Sequence, residues 1–174
     1  MATEVLNAVH FRPSVFVSRI TDCLDGFWLR LDIYTTVESI RKEVEFHLGV
    51  DTEWGVWEWE NIPDDMANEI SGSFYQLAEI SNFWLHSSND IEWEAFVKWC
   101  NSTYKSKLWG NFHGDLTGVA ESGSDFAYDL YEHETKELPE LVRLNIDWQG
   151  VWETIQAEYE VIEVANGEKY FFAY

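Results

Sequence analysis

Histidines, cysteines and paired carboxylates are the side chains most able to perform chemistry in this chain of 174 residues. The five histidines are His10, His47, His86, His113 and His133. They lack the spacing of HExxH and other metal motifs, and the sequence contains no CxxC pair or EF-hand loop. Cys23 and Cys100 are too few and too far apart for a disulfide framework, so we expect both to be buried thiols. The sequence therefore predicts no metal site and no cofactor.

Short glycine-containing motifs near residue 115 do not form an active site either. His113-Gly114-Asp115 is a lone HxD sequence, which we interpret as an ordinary loop segment because such short matches arise often by chance. Gly114 and Gly118 lack the lysine and the strand-to-helix context of a phosphate-binding loop. Nucleotide binding is therefore not predicted.

Pairs of nearby acids are the remaining catalytic candidates. Glu58 with Glu60, or Glu92 with Glu94, are the kind of carboxylate pair that a glycosidase uses, and tryptophan-rich clefts stack on sugars. Such pairs also arise by chance in a chain with 32 acids. We predict that the protein is not an enzyme, and a carbohydrate-binding or glycosidase-like protein stays as an alternative.

The distribution of charge is the strongest functional signal. Thirteen Asp or Glu residues and no Lys or Arg lie between Glu43 and Val97, and residues 121–174 hold thirteen acids against three bases. The first 42 residues, in contrast, hold five of each sign. The net charge of −21 is thus concentrated in two blocks, which attract basic partners and repel phosphates. We expect no direct nucleic-acid binding and a protein partner whose surface is built to hold nucleic acid.

The composition is that of a folded protein despite this charge. Hydrophobic residues make up 46% of the chain and aromatic residues 17%, enough apolar surface for a packed core. The sequence contains no run of 18 apolar residues, so it predicts no membrane span. The start of the chain lacks the pattern of a signal peptide. The expected location is the cytoplasm.

The first part of the chain predicts an α+β piece. Strands at residues 15–18 and 27–32 flank a turn predicted at Asp25-Gly26. Thr36 is the expected N-cap of a helix that runs to about His47 before Gly49 ends it. A third strand is predicted over residues 54–59.

The rest of the chain predicts two further pieces. Residues 64–102 carry two apolar stripes at helical spacing, which predict two acidic helices. Beyond a connection with a short strand at Leu116–Ala120, Ser124 and Asp147 are the expected caps of two more helices. Asn166-Gly167 predicts a final hairpin with a type I′ turn. The fold class is therefore α+β, in about three small subdomains at residues 1–60, 61–103 and 104–174.

The helix predicted after Ser124 has its acids in a row. Asp125, Asp129 and Glu132 follow at i, i+4 and i+7, opposite an inward face of Phe126, Leu130 and His133. One helical turn rises about 5.4 Å, which is comparable in order of magnitude with the spacing of phosphates along a duplex strand.

Several short pieces carry a resemblance that extends from Val15 to Tyr174. They are Val15–Ser18, Gly26–Asp32, Glu58–Pro63, Ser124–Glu132 closed by Glu134-Thr135, Leu138–Leu141 and Ile146–Trp148. In this order the set resembles the ArdA antirestriction family. The chain departs from the family pattern at residues 19–25, which lack a glycine and a Tyr-Asn signature, and at Gly150, Trp152 and Glu153 in the terminal helix.

The resemblance implies an elongated, dimeric DNA mimic. Such a protein occupies the DNA groove of type I restriction-modification enzymes, and it thereby protects incoming plasmid, transposon or phage DNA. An acidic escort or immunity protein that covers a basic partner is the alternative from another class, because charge steering serves it equally well.

Two sets of candidate site residues follow. The carboxylates expected to face the partner are Glu58, Glu60, Asp64, Asp65, Glu69, Glu79, Asp90, Glu92, Glu94, Asp125, Asp129, Glu132, Glu134, Glu137 and Glu140. The apolar face of the terminal helix, expected at the contact of a homodimer, consists of Trp148, Val151, Trp152 and Ile155.

Overall fold

A computed structural model describes residues 11–70, 72–87, 89–102 and 109–174 of the chain. Contacts between Cα atoms divide it into two compact units, Met1–Ser106 and Lys107–Tyr174. Each unit combines helices with a three-stranded antiparallel sheet. The predicted α+β class is therefore confirmed, and the arrangement of three subdomains stays a prediction.

The sheet of the first unit has its first strand in the centre. Its strands are β1 (Ser14–Arg19), β2 (Asp22–Arg30) and β3 (Trp54–Glu60), in the order β2-β1-β3. Alternation along β1 buries Val15 and Val17 on one face, together with Leu29 of β2. The three strands predicted from the alternating pattern are therefore present.

The hairpin between β1 and β2 differs from the prediction in its turn. The chain reverses at Ile20-Thr21, and Asp25-Gly26 lies within β2 at an irregularity of the register, so the turn predicted there is wrong. Gly26 is needed for close approach, since an ideal Cβ atom on it would lie 2.4 Å from the carbonyl oxygen of Val17 and 2.8 Å from Cζ of Phe16. The glycine is a packing residue of the sheet rather than a turn residue.

Four helices follow in the described part of the first unit, namely α1 (Val37–Leu48), α2 (Asp64–Asn68), α3 (Phe74–His86) and α4 (Asp90–Ser102). Thr36 caps α1 in a capping box with Ser39, and Gly49 ends it with a positive φ of 99°, as predicted. The two helices predicted over residues 64–102 correspond to α3 and α4, with the shorter α2 before them.

The core of the first unit forms where these helices meet the sheet. Ile40 and Val44 of α1 pack with Leu77 of α3 and with the buried face of β1. On α4, Trp93 and Trp99 are fully buried. Of the two cysteines, Cys100 is buried as expected, whereas Cys23 is exposed in β2, so the prediction of a second buried thiol is wrong.

A buried carboxylate fixes the end of the first hairpin. The side chain of Asp32 is 2% exposed and accepts hydrogen bonds from Arg30 and, at 2.9 Å, from Nη1 of Arg12. Burial by itself raises the pKa of Asp32, but the hydrogen bonds and charges of the two guanidinium groups outweigh it, so the pKa lies below its ordinary value. Asp32 thus neutralises basic charge that would otherwise lie at this edge of the sheet.

The second unit consists of α5 (Trp109–Asp115), β4 (Leu116–Ala120), α6 (Gly123–Thr135), α7 (Glu140–Arg143), α8 (Trp148–Ile155), a short 3-10 turn (Gln156–Glu158), β5 (Tyr159–Glu163) and β6 (Lys169–Ala173). Its sheet has the order β4-β6-β5. The predicted strand at Leu116–Ala120 is confirmed. The His113–Asp115 segment lies at the end of α5, so its interpretation as a loop is wrong.

Aromatic rings hold the second unit together around its central strand. Phe171 of β6 stacks on Phe126 of α6 with ring centroids 4.1 Å apart, and Trp152 of α8 meets Phe171 edge-on at 5.3 Å. Phe112 of α5 lies 5.4 Å from Phe172, the next residue along β6, whose side chain points to the opposite face. The central strand is therefore buried on both faces.

Two details of the second unit correct the sequence analysis. The N-cap of α6 is Ser122 rather than Ser124. In the final hairpin the loop is Ala165-Asn166-Gly167, in which Gly167 has a positive φ and Asn166 does not. A type I′ turn requires positive φ at both central residues, so that turn type is wrong and a three-residue loop with glycine in the left-handed position replaces it. The predicted cap of α8 by Asp147 is confirmed.

Over the ranges that the structure describes, no helix is both long and apolar enough to cross a membrane.

Replacing Gly26 by alanine should lower the free energy of unfolding by about 1–3 kcal/mol, because the added methyl group overlaps the β1 backbone and the Phe16 ring. Gly55 of β3 is the matched control, since its nearest contact would be at 3.8 Å, and Gly55→Ala should stay within about 0.5 kcal/mol of the parent. Urea denaturation followed by circular dichroism measures both. Equal stabilities of the two variants would contradict the packing role of Gly26.

Replacing Asp32 by asparagine should destabilise the protein by about 1–3 kcal/mol at neutral pH, because two guanidinium groups lose their charged acceptor. The pKa of Asp32 is lowered on folding, so its contribution is complete above the unfolded value of about 3.9 and disappears as the pH falls through the folded value. Urea denaturation between pH 7 and pH 2.5 should therefore show the difference shrink toward the acid end. Asp25→Asn, at an exposed position, serves as control, and a difference as large at pH 2.5 as at pH 7 would refute the linkage.

Candidate functional site

The acid row on α6 is exposed much as predicted. Asp125 and Asp129 are exposed and Glu132 is half-buried, while Phe126 faces the core on the other side. His133, predicted to face inward, is exposed instead. The two exposed carboxylates and Glu132 thus form a short acidic edge on one helix.

Packing at the first turn of α6 sets the position of this acidic edge. Ser122 caps the helix by accepting a hydrogen bond from the Asp125 backbone N–H at 3.2 Å. An ideal Cβ atom on Gly123 would lie 2.3 Å from Nε1 of Trp152, so the absence of a side chain lets the α8 indole lie directly against α6. The row is consequently supported by a rigid contact between two helices.

Beyond the acidic edge, more carboxylates follow toward α7. Glu134, Glu137 and Glu140 are exposed, and Glu132 pairs with Lys136 at 3.5 Å. An exposed pair of this kind contributes little, about 0–1 kcal/mol. The surface between α6 and α7 therefore remains strongly negative.

Tyr159 lies behind α6 and has a pKa above its ordinary value. Burial is the main cause that raises the pKa of Tyr159, and the neighbouring Tyr131 and Glu158 raise it further. Tyr159 packs edge-on against Phe126 at 5.0 Å. It is therefore a neutral core residue and not a candidate acid or base.

The first unit carries a second group of exposed acids. These are Glu58 and Glu60 on β3, Asp64 and Asp65 in the first turn of α2, Glu69 just after it and Glu79 on α3. Asp64 accepts a hydrogen bond from Nε1 of Trp59 at 3.2 Å. In the part of the chain that the structure describes, no Lys or Arg forms a salt bridge with any of these six or with the exposed acids of α6 and its flank.

The acids at the start of α4 are less accessible. Asp90 and Glu92 are half-buried, and Asp90 lies 3.5 Å from Nε of Arg12. Glu94 is 4% exposed and its Oε1 atom lies 2.7 Å from Nζ of Lys98. A partner cannot reach Glu94, so this carboxylate is not part of the interaction surface.

The apolar face of α8 serves its own unit. Trp148, Val151, Trp152 and Ile155 are all half-buried. Trp152 packs against Phe126 at 5.9 Å, and Trp148 meets Tyr128 edge-on at 5.3 Å. The face is therefore partly used inside the unit and partly available to another molecule.

Sequence reasoning missed a more exposed apolar cluster around α7. Leu138, Leu141, Val142 and Leu144 form this α7 cluster, in which Leu141 is 79% and Leu144 72% exposed. The available signal was the apolar density of residues 138–144 within an otherwise polar connection. A four-residue helix shows too little periodicity to reveal which side is uncovered.

The exposed carboxylates together suit the binding of positively charged side chains of another protein. Within the described ranges, no three His, Cys, Asp or Glu side chains converge as a metal site. Fixed carboxylates without basic neighbours create a negative potential that basic side chains of another protein can neutralise. The geometry is that of an interaction surface.

Comparison with known proteins shows to which family the chain belongs. A comparison with curated proteins finds no match. The family model described as antirestriction protein (ArdA) matches residues 21–170. ArdA antirestriction proteins are non-enzymatic inhibitors, in agreement with the prediction that the chain is not an enzyme. Because the match covers most of the sequence, the chain belongs to the ArdA antirestriction family.

Proposed function

We propose that this protein is a DNA mimic that occupies the DNA-binding groove of type I restriction-modification enzymes and inhibits them. Family membership implies antirestriction activity. The observation that supports mimicry is the set of exposed carboxylates, on β3, α2, α3 and α6, that lack a Lys or Arg partner among the described residues. Such groups are free to meet the basic side chains that line a DNA-binding groove.

Counterion release gives this surface its driving force. Duplex DNA carries about one charge per 1.7 Å, so two chains of −21 match the charge on roughly 70 Å of duplex. Fixed carboxylates recruit the Lys and Arg side chains of the target and release its counterions, as DNA does. They offer no base to methylate and no phosphodiester to cleave, so the target is occupied without reacting.

The cellular location of the protein follows from the proposed target. A host enzyme that cleaves incoming DNA acts in the bacterial cytoplasm, and an inhibitor carried by a plasmid, transposon or phage acts there too. The protein needs no cofactor for this role and, being strongly acidic, does not itself bind nucleic acid.

We further propose that two copies associate through the second unit. The α7 cluster and the neighbouring face of α8 together leave more apolar surface uncovered than isolated exposed residues would. Repulsion between two chains of −21 opposes the contact, but salt screens it beyond about 8–10 Å near physiological ionic strength. A twofold dimer would also double the number of carboxylates presented to the target.

Inhibition of a purified type I methyltransferase core should be relieved by added duplex DNA, because mimic and DNA compete for one groove. Raising the salt from about 50 to 200 mM should weaken binding more than about tenfold if many ion contacts form. An escort protein that binds by a specific apolar patch, such as the α7 cluster, would give a flat salt profile. A complex that duplex DNA does not displace would refute mimicry.

Charge-neutral variants sharpen this measurement. Changing Asp125, Asp129 and Glu132 together to Asn, Asn and Gln should weaken the complex while the melting temperature stays close to that of the parent. The matched control removes the same charge from the balanced region as Asp22→Asn, Asp25→Asn and Glu38→Gln. If the control weakens the complex as much as the first set, the interaction depends only on net charge and not on the acidic edge of α6.

The dimer can be tested with two kinds of charge substitution. Leu141→Glu combined with Leu144→Glu should give folded monomers, because both side chains are mostly exposed in the single chain. Trp152→Glu should instead lower the melting temperature, because Trp152 packs on Gly123 and Phe171 within its own chain. Sedimentation at tens of micromolar protein measures the association. A parent protein that sediments as a monomer at 150 mM salt refutes the dimer and leaves mimicry untouched.

A further inference from the structure

The outer face of the first sheet carries a layer of aromatic rings that the proposed function has not used. Phe16 of β1 lies opposite Trp28 of β2 and Glu58 of β3, and the rings of Phe16 and Trp28 are 5.7 Å apart. Trp57 is the extra residue where the register of β3 shifts. We call Phe16, Trp28 and Trp57 the aromatic face.

Two glycines lie beneath these rings. Gly26 and Gly55 both pair with Ser18 of the central strand. An ideal Cβ atom on Gly26 would lie 2.8 Å from the Phe16 ring, and one on Gly55 would lie 3.8 Å from the Trp57 indole nitrogen. Ser18, between the two glycines, is completely buried. The rings therefore lean over the backbone of the sheet and cover it.

The aromatic face is open, and its rim is acidic. Helices α1 and α3 pack their buried residues with Val15, Val17 and Leu29 on the other side of the sheet. Trp28 is 42% and Trp57 46% exposed. Glu58 and Glu60 of β3 are exposed beside the rings, whereas Arg30, on the opposite edge strand β2, donates to Asp32 and is already neutralised.

We infer that the aromatic face and the carboxylates of Glu58 and Glu60 bind arginine side chains of the partner protein. The inference rests on the proposed function for the identity of that partner as a protein with a basic, DNA-binding surface. A guanidinium group can stack on an aromatic ring while its N–H groups donate hydrogen bonds to a carboxylate in the guanidinium plane, a combination that a lysine ammonium does not offer. Strands are about 4.8 Å apart, so Trp28 and Glu58 flank Phe16 on its two neighbouring strands, and a carboxylate lies one strand spacing from the rings.

This contact would be local, unlike the delocalised attraction of the acidic blocks. A diffuse negative field attracts arginine and lysine equally, because both carry a single positive charge. A ring stacked on a guanidinium adds a preference for arginine. Hot spots of binding are enriched in both tryptophan and arginine.

Peptide binding can separate the two contributions. Fluorescently labelled hexa-arginine and hexa-lysine carry the same charge, and fluorescence anisotropy at 100 mM salt measures their affinities for the full chain. We expect hexa-arginine to bind about threefold to tenfold more tightly. Trp28→Leu combined with Trp57→Leu should abolish this preference, and Trp28→Phe combined with Trp57→Phe should keep most of it.

Controls guard against effects of folding and of exposed aromatic residues in general. Tyr75→Leu removes another aromatic side chain of the same unit, 74% exposed on α3, and should leave the preference intact. If the leucine pair fails to fold by circular dichroism, Glu58→Gln with Glu60→Gln replaces it and should weaken hexa-arginine binding more than hexa-lysine binding.

Three results would overturn the inference. The first is equal affinity of the parent for both peptides, and the second is a preference for hexa-arginine that survives in the folded leucine pair. The third is saturable binding of uncharged cellohexaose that the leucine pair loses, which would favour a carbohydrate-binding function. DNA-displaceable inhibition of the methyltransferase core, measured on the same preparation, tests the proposed function separately. Inhibition without an arginine preference refutes the aromatic contact alone, and a preference without inhibition refutes the proposed function.

Discussion

Repulsion among carboxylates is the constraint on which the rest of this structure depends. With 32 acids against 11 bases, the chain cannot neutralise itself, and an acid moved into the core without a partner would cost several kcal/mol. The fold therefore keeps most acids on helix and strand positions that face water. Aromatic side chains offset this repulsion, because each of them buries a large apolar area and so stabilises the fold. Phe171 between Phe126 and Trp152, and Trp93 and Trp99 on α4, show where that area is buried.

Close packing of rings on glycines gives both units their rigidity. Gly26 lies under Phe16 in the first unit, and Gly123 lies under Trp152 in the second. In each case a missing side chain lets a large flat ring contact the backbone directly, which increases the apolar contact without adding volume. A rigid support matters for a surface whose function depends on the spacing of charges, because a carboxylate that moves by several ångströms no longer matches a fixed basic partner.

The sequence predicted the elements better than their ends and contacts. Thr36, Gly49 and Asp147 were identified correctly because capping depends on chemistry within four residues of the chain. The turn predicted at Asp25-Gly26 was wrong, since the need for that glycine comes from Phe16 and Val17, ten and nine residues away on another strand. The type I′ turn failed for a related reason, because Asn-Gly also fits a three-residue loop with glycine alone at positive φ. Among the candidate acids, nothing in the local sequence distinguishes buried Glu94 from exposed Glu79, whose environments are set by packing.

The few bases in the described part of the chain are largely used in making the fold. Arg12 and Arg30 hold Asp32, and Lys98 holds the buried Glu94. Arg19 donates to the carbonyl oxygen of Leu48 at the C-terminal end of α1, where a cation also favours the helix dipole. The Arg41 guanidinium lies 5.4 Å from the centre of the Phe74 ring, which shows the arginine-on-aromatic contact within the chain itself. Bases that are committed to structure cannot shield the surface acids, so the potential of the surface is fixed by the same contacts that stabilise the fold. A partner that brings arginines would supply the pairings for which the chain itself has too few bases.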